Sequence, residues 1–254
     1  MAARYESVEP AAVNAAAADL IEGGSGLALD IGAGSGRDAA WLASIGYEVV
    51  AVEPAEGMRR EASRRHSSDR IRWLDDRLPD LGAVRRLGLA FDLVLLSAVW
   101  MHVPPADRTR AFRKIVTLLK PGGRVVVSLR EGPAEPGRPM WPAPLGEIEA
   151  LARHHALVVE RVRQQDDRLG RSNVAWTSVV MRVPDDGTGA FPLLRGIILN
   201  DAKTSTYELG LLRVLVRIAD AAPGLAVDHP DEVDAVQLPM DNRGLWVTGR
   251  RCPP

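Results

Sequence analysis

The residues that could do chemistry are gathered behind a short apolar run, Leu27 to Ile31, which carries Asp30 and runs straight into Gly32-Ala33-Gly34-Ser35-Gly36. A strand that ends in a glycine turn and feeds a helix aims backbone N–H groups at whatever lies before the helix. Without Cβ atoms in the way, a ligand can approach that backbone closely. The spacing narrows the choice of ligand. A nicotinamide-type fingerprint needs Gly-x-Gly-x-x-Gly, whereas here the third glycine comes one position early and Arg37 stands where that pattern wants it. A second candidate for chemistry is His102, in Ser97-Ala98-Val99-Trp100-Met101-His102-Val103 after a later apolar run. A histidine there titrates in the range useful for moving a proton. The competing reading is an imidazole that packs and hydrogen-bonds the backbone, and geometry has to separate the two. His154 and His155 close a helix and suit its dipole, while His66 and His229 read as exposed. Nothing in the chain has the spacing of a metal-ligand cluster.

The elements that must position these residues alternate. After the glycine turn, a helix is expected from Arg37 to Ile45, ended by Gly46. Strands are expected at Tyr47 to Val52, Ile71 to Leu74, Phe91 to Leu96 and Val125 to Leu129. Helices are expected from Glu56 to His66 and from Asp107 to Leu119, the latter stopped by Pro121-Gly122-Gly123. Glu131 to Pro144, crowded with Pro and Gly, is a long loop. A helix at Leu145 to His155 and strands near Ala156 to Val162 and Val174 to Val183 complete seven strands. This order implies a doubly wound α/β sheet covered on both sides, its last strand antiparallel. Pro184 to Gly189 reads as a linker, and Ser205-Thr206-Tyr207-Glu208 as a capping box opening an apolar helix to about Ala219. The expected division is therefore 1–183 for the sheet domain and 184–254 for a small helical extension.

Asp30 with the compressed glycine cluster resembles the first motif of the class I S-adenosylmethionine-dependent methyltransferases. Further matches follow in that family's order. Glu53 ends the second strand. Trp73-Leu74-Asp75-Asp76-Arg77-Leu78-Pro79 follows the third. Phe91 to Ser97 and then Leu118 to Gly123 correspond to the fourth strand and the corner before the fifth. The resemblance covers roughly residues 1–183. It implies a seven-stranded Rossmann-like methyltransferase fold with S-adenosylmethionine as cofactor. Asp30 and the glycines would hold the cofactor's amino-acid end, and the Glu53 carboxylate could accept both ribose hydroxyls. Asp75 or Asp76 would meet the adenine, Asp75 being favoured by spacing. By the same resemblance Tyr5, Gly32, Ala33, Gly34, Gly36, Pro54, Met58 and Ser97 line the cofactor, and His102 is the catalytic candidate.

Composition excludes some classes. The 254 residues carry a formal net charge of −1, so no global basic field draws nucleic acid or an anionic membrane. Cys252 is the only cysteine, which rules out an internal disulfide and suits a reducing cytoplasm. No signal-peptide pattern or membrane-length apolar run is visible. The arginine groups Arg59-Arg60, Arg64-Arg65, Arg85-Arg86 and Arg108 to Arg113 read as solvated helix faces. The expected acceptor is a small molecule, with the loop Glu131 to Pro144, carrying Met140 and Trp141, building its pocket. Competing readings are methylation of a nucleic acid or protein, and a non-catalytic cofactor-binding scaffold. The apolar helix at Ser205 to Ala219 must bury itself, and a homo-oligomer is one way to do so.

Overall fold

A computed structural model describes residues 6–21, 24–135 and 137–185, with the backbone of 237–238 and 245–246. The chain divides into two units, Met1–Asp201 and Ala202–Pro254. In the first, seven strands form one sheet in the order β3-β2-β1-β4-β5-β7-β6. The strands are β1 (Gly26–Ile31), β2 (Tyr47–Val52), β3 (Ile71–Leu74), β4 (Phe91–Leu96), β5 (Leu119–Glu131), β6 (Val158–Asp166) and β7 (Ala175–Arg182). β1 to β5 run parallel, and β7 lies antiparallel between β5 and β6. In the second unit the described backbone is one antiparallel pair, β8 (Gln237–Leu238) and β9 (Leu245–Trp246). The helix expected at Ser205 to Ala219 lies outside the described residues.

Successive side chains of the central strands point to opposite faces, and each face is covered by helices. Leu29 and Ile31 of β1 join Val94 and Leu96 of β4 beneath α6 (Pro105–Leu118) and α7 (Leu145–His154), through Phe112, Ile115 and Ile148. Ala28, Val49, Leu93 and Leu95 face the other way, onto Ala39, Leu42 and Ala43 of α3 (Arg37–Ser44) and Ile21 of α2 (Ala18–Ile21). The short α1 (Pro10–Val13) precedes α2, and the segment is tied to the outer strand. Gln165 Nε2 donates to the Val13 carbonyl at 2.9 Å, and Arg161 reaches the Ala16 carbonyl and Asp19.

Four features depart from the sequence expectation. β5 begins at Leu119, because Phe91 pairs with Leu119 and the register then shifts, so that Leu93 pairs with Arg124 across the Pro-Gly-Gly corner. β6 runs on to Asp166, because the antiparallel ladder with β7 continues past Val162 as far as Asp166 opposite Ala175. A short helix, α5 (Gly82–Arg86), follows β3, whereas α4 (Glu56–Arg65) falls where expected. Arg108 is buried rather than solvated. It donates to the Val103 and Pro142 carbonyls at 3.0 and 2.8 Å and pairs with Glu147 at 2.6 Å, joining α6, the loop after β5 and α7.

Candidate functional site

The glycine turn is fixed by its neighbours. The Gly32 and Ala33 N–H groups both donate to the Val52 carbonyl at 2.8 Å, stapling the end of β1 to the end of β2. Gly32 adopts φ +73°, and a Cβ there would lie 2.6 Å from Val99 Cγ2. Gly36 caps α3 at φ +91°, where a Cβ would meet His66 Cδ2 and Trp73 Cη2 at 2.9 Å. Both positions therefore require glycine, for backbone conformation and for space. Glu53, just past β2, is bonded onto the turn: Oε2 accepts the Gly34 N–H at 3.0 Å and Oε1 the Ala55 N–H at 2.8 Å. Each oxygen keeps a further lone pair, enough for a pair of neighbouring hydroxyls.

A cavity of about 370 Å³ opens over this turn. Gly32, Ala33, Gly34, Glu53, Met58, Ser97 and His102 line it, so seven of the residues expected at the site are brought together. Asp30 is not at the wall. It is buried behind the turn, where burial, and next the charge of Asp38, push its carboxyl well above the usual range. Its Oδ2 has no hydrogen-bond partner among the described residues. Asp38 and Arg37 reach the wall instead, with the Arg37 guanidinium holding Asp38 at 2.8 and 3.0 Å. Gly36 and Pro54 also lie off the cavity lining, Gly36 because it faces His66 and Trp73. His66, expected in solvent, is half-buried there and meets Glu6 at 3.2 Å. Tyr5 lies outside the described residues.

The adjacent pair after β3 divides its work. Asp76 Oδ2 accepts the Ala83 and Val84 N–H groups at 2.6 and 3.0 Å, closing the first turn of α5. Asp75 points into solvent and pairs with Arg59 at 3.0 Å. Arg59 also donates to the Glu53 and Pro54 carbonyls at 2.6 and 2.9 Å, so this arginine braces the acidic loop rather than decorating a helix. Neither Asp75 nor Asp76 lines the cavity.

Beyond Ser97 the chain turns sharply. Ala98 takes φ +57°, and its N–H donates to Ser128 Oγ at 2.7 Å. A single 3₁₀ turn, Trp100–His102, then carries Met101 and His102 to the wall. His102 Nδ1 lies 2.7 Å from the Pro139 carbonyl, which can only accept, so Nδ1 carries the proton and Nε2 keeps its lone pair. Burial lowers the imidazole pKa below its ordinary value. The bond to Pro139 opposes this, while the charges of Arg138 and Arg130 add to the lowering. The remaining wall comes from three places whose local sequence holds no motif: the N-terminal segment (Val8, Val13), the end of β5 and its loop (Ser128, Arg130, Glu135, Met140), and the β6–β7 hairpin (Gln165 to Leu169, Trp176). Trp141 is held through its backbone, N–H to the Met101 carbonyl at 2.9 Å, and does not line the cavity. One sequence signal was available for the β5 wall, namely a charged residue, Arg130, interrupting the apolar run Val125 to Leu129. Among the described residues there is no group of three or more His, Cys, Asp or Glu that could hold a metal ion. No described helix is long and apolar enough to cross a membrane.

Comparison with known proteins agrees with this geometry. Residues 29–127 match the family model described as a methyltransferase domain, and residues 187–245 match one described as a domain of unknown function. The chain is 37% identical over 101 residues to protein-L-isoaspartate O-methyltransferase 1 of Nitrosospira multiformis, covering 40% of this chain and 39% of the relative. It is likewise 37% identical over 100 residues to the ubiquinone biosynthesis O-methyltransferase of Ruegeria pomeroyi, covering 39% of each. The chain thus spans about two fifths of the length of these curated relatives. Among solved structures, the fold is similar to that of Burkholderia thailandensis 1,6-didemethyltoxoflavin-N1-methyltransferase with bound 1,6-didemethyltoxoflavin and S-adenosylhomocysteine. That match has a TM-score of 0.55 at 24% identity and covers 68% of this chain and 77% of that one. The ordered motifs, the sheet order and the matched segment agree: residues 29–127 are similar to a methyltransferase domain, and the sheet has the fold of S-adenosylmethionine-dependent methyltransferases.

Proposed function

We propose that the chain moves a methyl group from S-adenosylmethionine to a small-molecule acceptor. The observation that carries this reading is the cavity itself, which runs from the Gly32–Gly34 turn and Glu53 to His102. The residues present suit the cofactor. Glu53 offers lone pairs to a ribose diol, the glycine turn admits close approach, and Asp38 at the wall with Asp30 behind it favours an ammonium group. Asp75 is free of the capping duty that occupies Asp76 and is the better placed of the two for an adenine amino group. When bound, S-adenosylmethionine supplies an activated methyl on a sulfonium, so no metal is required.

The chain's own contribution is alignment, exclusion of water and proton handling. Met58 and Ser97 border the cofactor side, and Met101, Met140 and Trp176 give the other side an apolar lining that disfavours water. His102, neutral and with Nε2 unprotonated, accepts the acceptor's proton as the new bond to the methyl forms. A concave cavity of this size suits a small acceptor better than a polynucleotide or protein surface, and the balanced net charge points the same way. A cytoplasmic location, a boundary near residue 184 and oligomerisation through the C-terminal segment belong to the same reading. The family match at 187–245 supports that boundary. Calorimetry on the full-length chain tests the cofactor directly. One S-adenosylhomocysteine per chain is expected, with no response to nicotinamide cofactors, and the opposite pattern sinks the reading.

A further inference from the structure

Arg130 is the penultimate residue of β5 and sits opposite Trp176 of β7. It is 7% exposed and lines the cavity. Its Nη1 donates to the Pro133 carbonyl at 2.7 Å, whereas Nε is buried with no hydrogen-bond partner among the described residues. A guanidinium stays charged at any ordinary pH, and a buried charge without a counter-ion is costly unless something arrives to pair with it. The carboxylates on the same wall do not fill that role. Glu135 is bound by Arg171 Nη1, and Asp167 is held by Arg171 at 2.7 and 3.1 Å and by Trp176 Nε1 at 2.9 Å. These bonds keep Asp167 ionised, its carboxyl lying far below the usual carboxylate range despite burial. Arg130 is thus a buried cation; Glu135 and Asp167 are committed to Arg171, and Asp166, also on the cavity lining, is exposed and makes no ion pair with Arg130 among the described residues. Met101, Met140, Leu169 and Trp176 line the same cavity and supply apolar surface, the last a flat ring opposite Arg130 in the β5–β7 ladder.

We propose that the methyl acceptor carries a carboxylate on an apolar, planar body, and that Arg130 binds that carboxylate. A planar carboxylate matches the edge of a guanidinium bidentately, which a neutral amide cannot reproduce. The ring or chain bearing it lies against Trp176 and the two methionines. His102, whose neighbouring charges include Arg130, then stands close to the group that gains the methyl. This inference rests on the methyl-transfer reading and specifies its substrate class.

The test uses indole-3-acetate, its neutral amide indole-3-acetamide, and phenyl phosphate as probes, titrated into the full-length chain with and without saturating S-adenosylhomocysteine. The acid is expected to bind with a Kd at least tenfold below that of the amide and below that of phenyl phosphate. Arg130→Met should erase the preference for the acid, and Arg130→Lys, which keeps the charge but not the fork, should restore only part of it. S-adenosylhomocysteine affinity should be unchanged in both variants. Equal binding of acid and amide, tighter binding of the phosphate, no binding of the acid at millimolar concentration, or a preference that survives in Arg130→Lys and Arg130→Met alike overturns the proposal. Should Arg130→Met fail to fold, the Arg130→Lys titration decides alone, full retention of the preference counting against it. A failure of the underlying reading shows separately, as absent S-adenosylhomocysteine binding in the unmodified chain.

Discussion

Two side chains carry most of the chemistry argued for this cavity, and they differ in what their loss should do. Glu53 is held by the Gly34 and Ala55 N–H groups, so its carboxylate is oriented before any ligand arrives. Glu53→Ala should weaken S-adenosylhomocysteine binding by about 1.5–3 kcal/mol, the scale of a hydrogen-bonded charged group. Calorimetry reads this directly, and an unchanged Kd would remove Glu53 from the site. For His102, burial lowers the folded-state pKa below its ordinary value. The neutral base therefore persists to lower pH than in an ordinary imidazole of about 6.5, and is lost as pH falls through the lower folded value. Methyl transfer to an acceptor that must shed a proton should accordingly be level around neutrality and decline on an acidic limb centred below about 6.5. His102→Gln should lower kcat about 100-fold or more and abolish the acidic limb while leaving cofactor affinity intact. A retained limb would show that another group moves the proton.

At the scale of elements, two adjacent aspartates illustrate how one motif serves both folding and binding. Asp76 closes the first turn of α5 through the Ala83 and Val84 N–H groups, whereas Asp75 makes only an exposed pair with Arg59. Asp76→Ala should cost about 1 kcal/mol, a typical helix-cap loss. In a domain of this size that lowers Tm by roughly 2–4 °C. Asp75→Ala should leave Tm nearly unchanged, since exposed ion pairs contribute little, yet weaken adenosyl binding. Thermal melts paired with calorimetry separate the two, and a reversed pattern would exchange their roles. The β6–β7 hairpin makes a similar point. Its tip is organised by Asp167, which gathers Arg171, Trp176 and the Leu169 N–H, and Arg171 then binds Glu135 in the loop after β5. Two distant loops are thereby held to one wall of the cavity.

For the whole molecule, helices that lie before Val183 cover both faces of the sheet among the described residues. A chain ended after Pro184 should therefore fold and bind S-adenosylhomocysteine with unchanged affinity. The segment beyond is strongly apolar between Leu209 and Ile218, so its removal is expected to change association rather than folding. Light scattering on full-length and truncated chains, beside cofactor titration, checks both statements. A truncated chain that cannot fold would place residues after 184 in the main core and move the boundary.

The sequence alone determined the order of the strands through β5 and the longer helices between them, though not the short α1, α2 and α5, and the glycine turn with Glu53 behind it. These depend on short-range rules: apolar strands buried on both faces, glycines where φ is positive, and a carboxylate at a strand end. Residues close in sequence to those rules, such as Gly32, Gly34, Met58 and Ser97, line the cavity. Only the tertiary structure decided the rest. Asp30 lies behind the wall and Asp38 on it, because which side chains of a strand-turn-helix reach the ligand depends on how the helix packs. Arg108 and Arg59 look like surface charges in a helical pattern, yet Arg108 finds the Pro142 carbonyl of a distant loop and Arg59 turns back onto the Glu53 and Pro54 carbonyls past the end of β2. The cavity wall that holds Val13, Arg130 and Trp176 is assembled from segments 163 positions apart (13 to 176). No local pattern encodes such a meeting, because it is fixed by the antiparallel insertion of β7 and the docking of the N-terminal segment on β6.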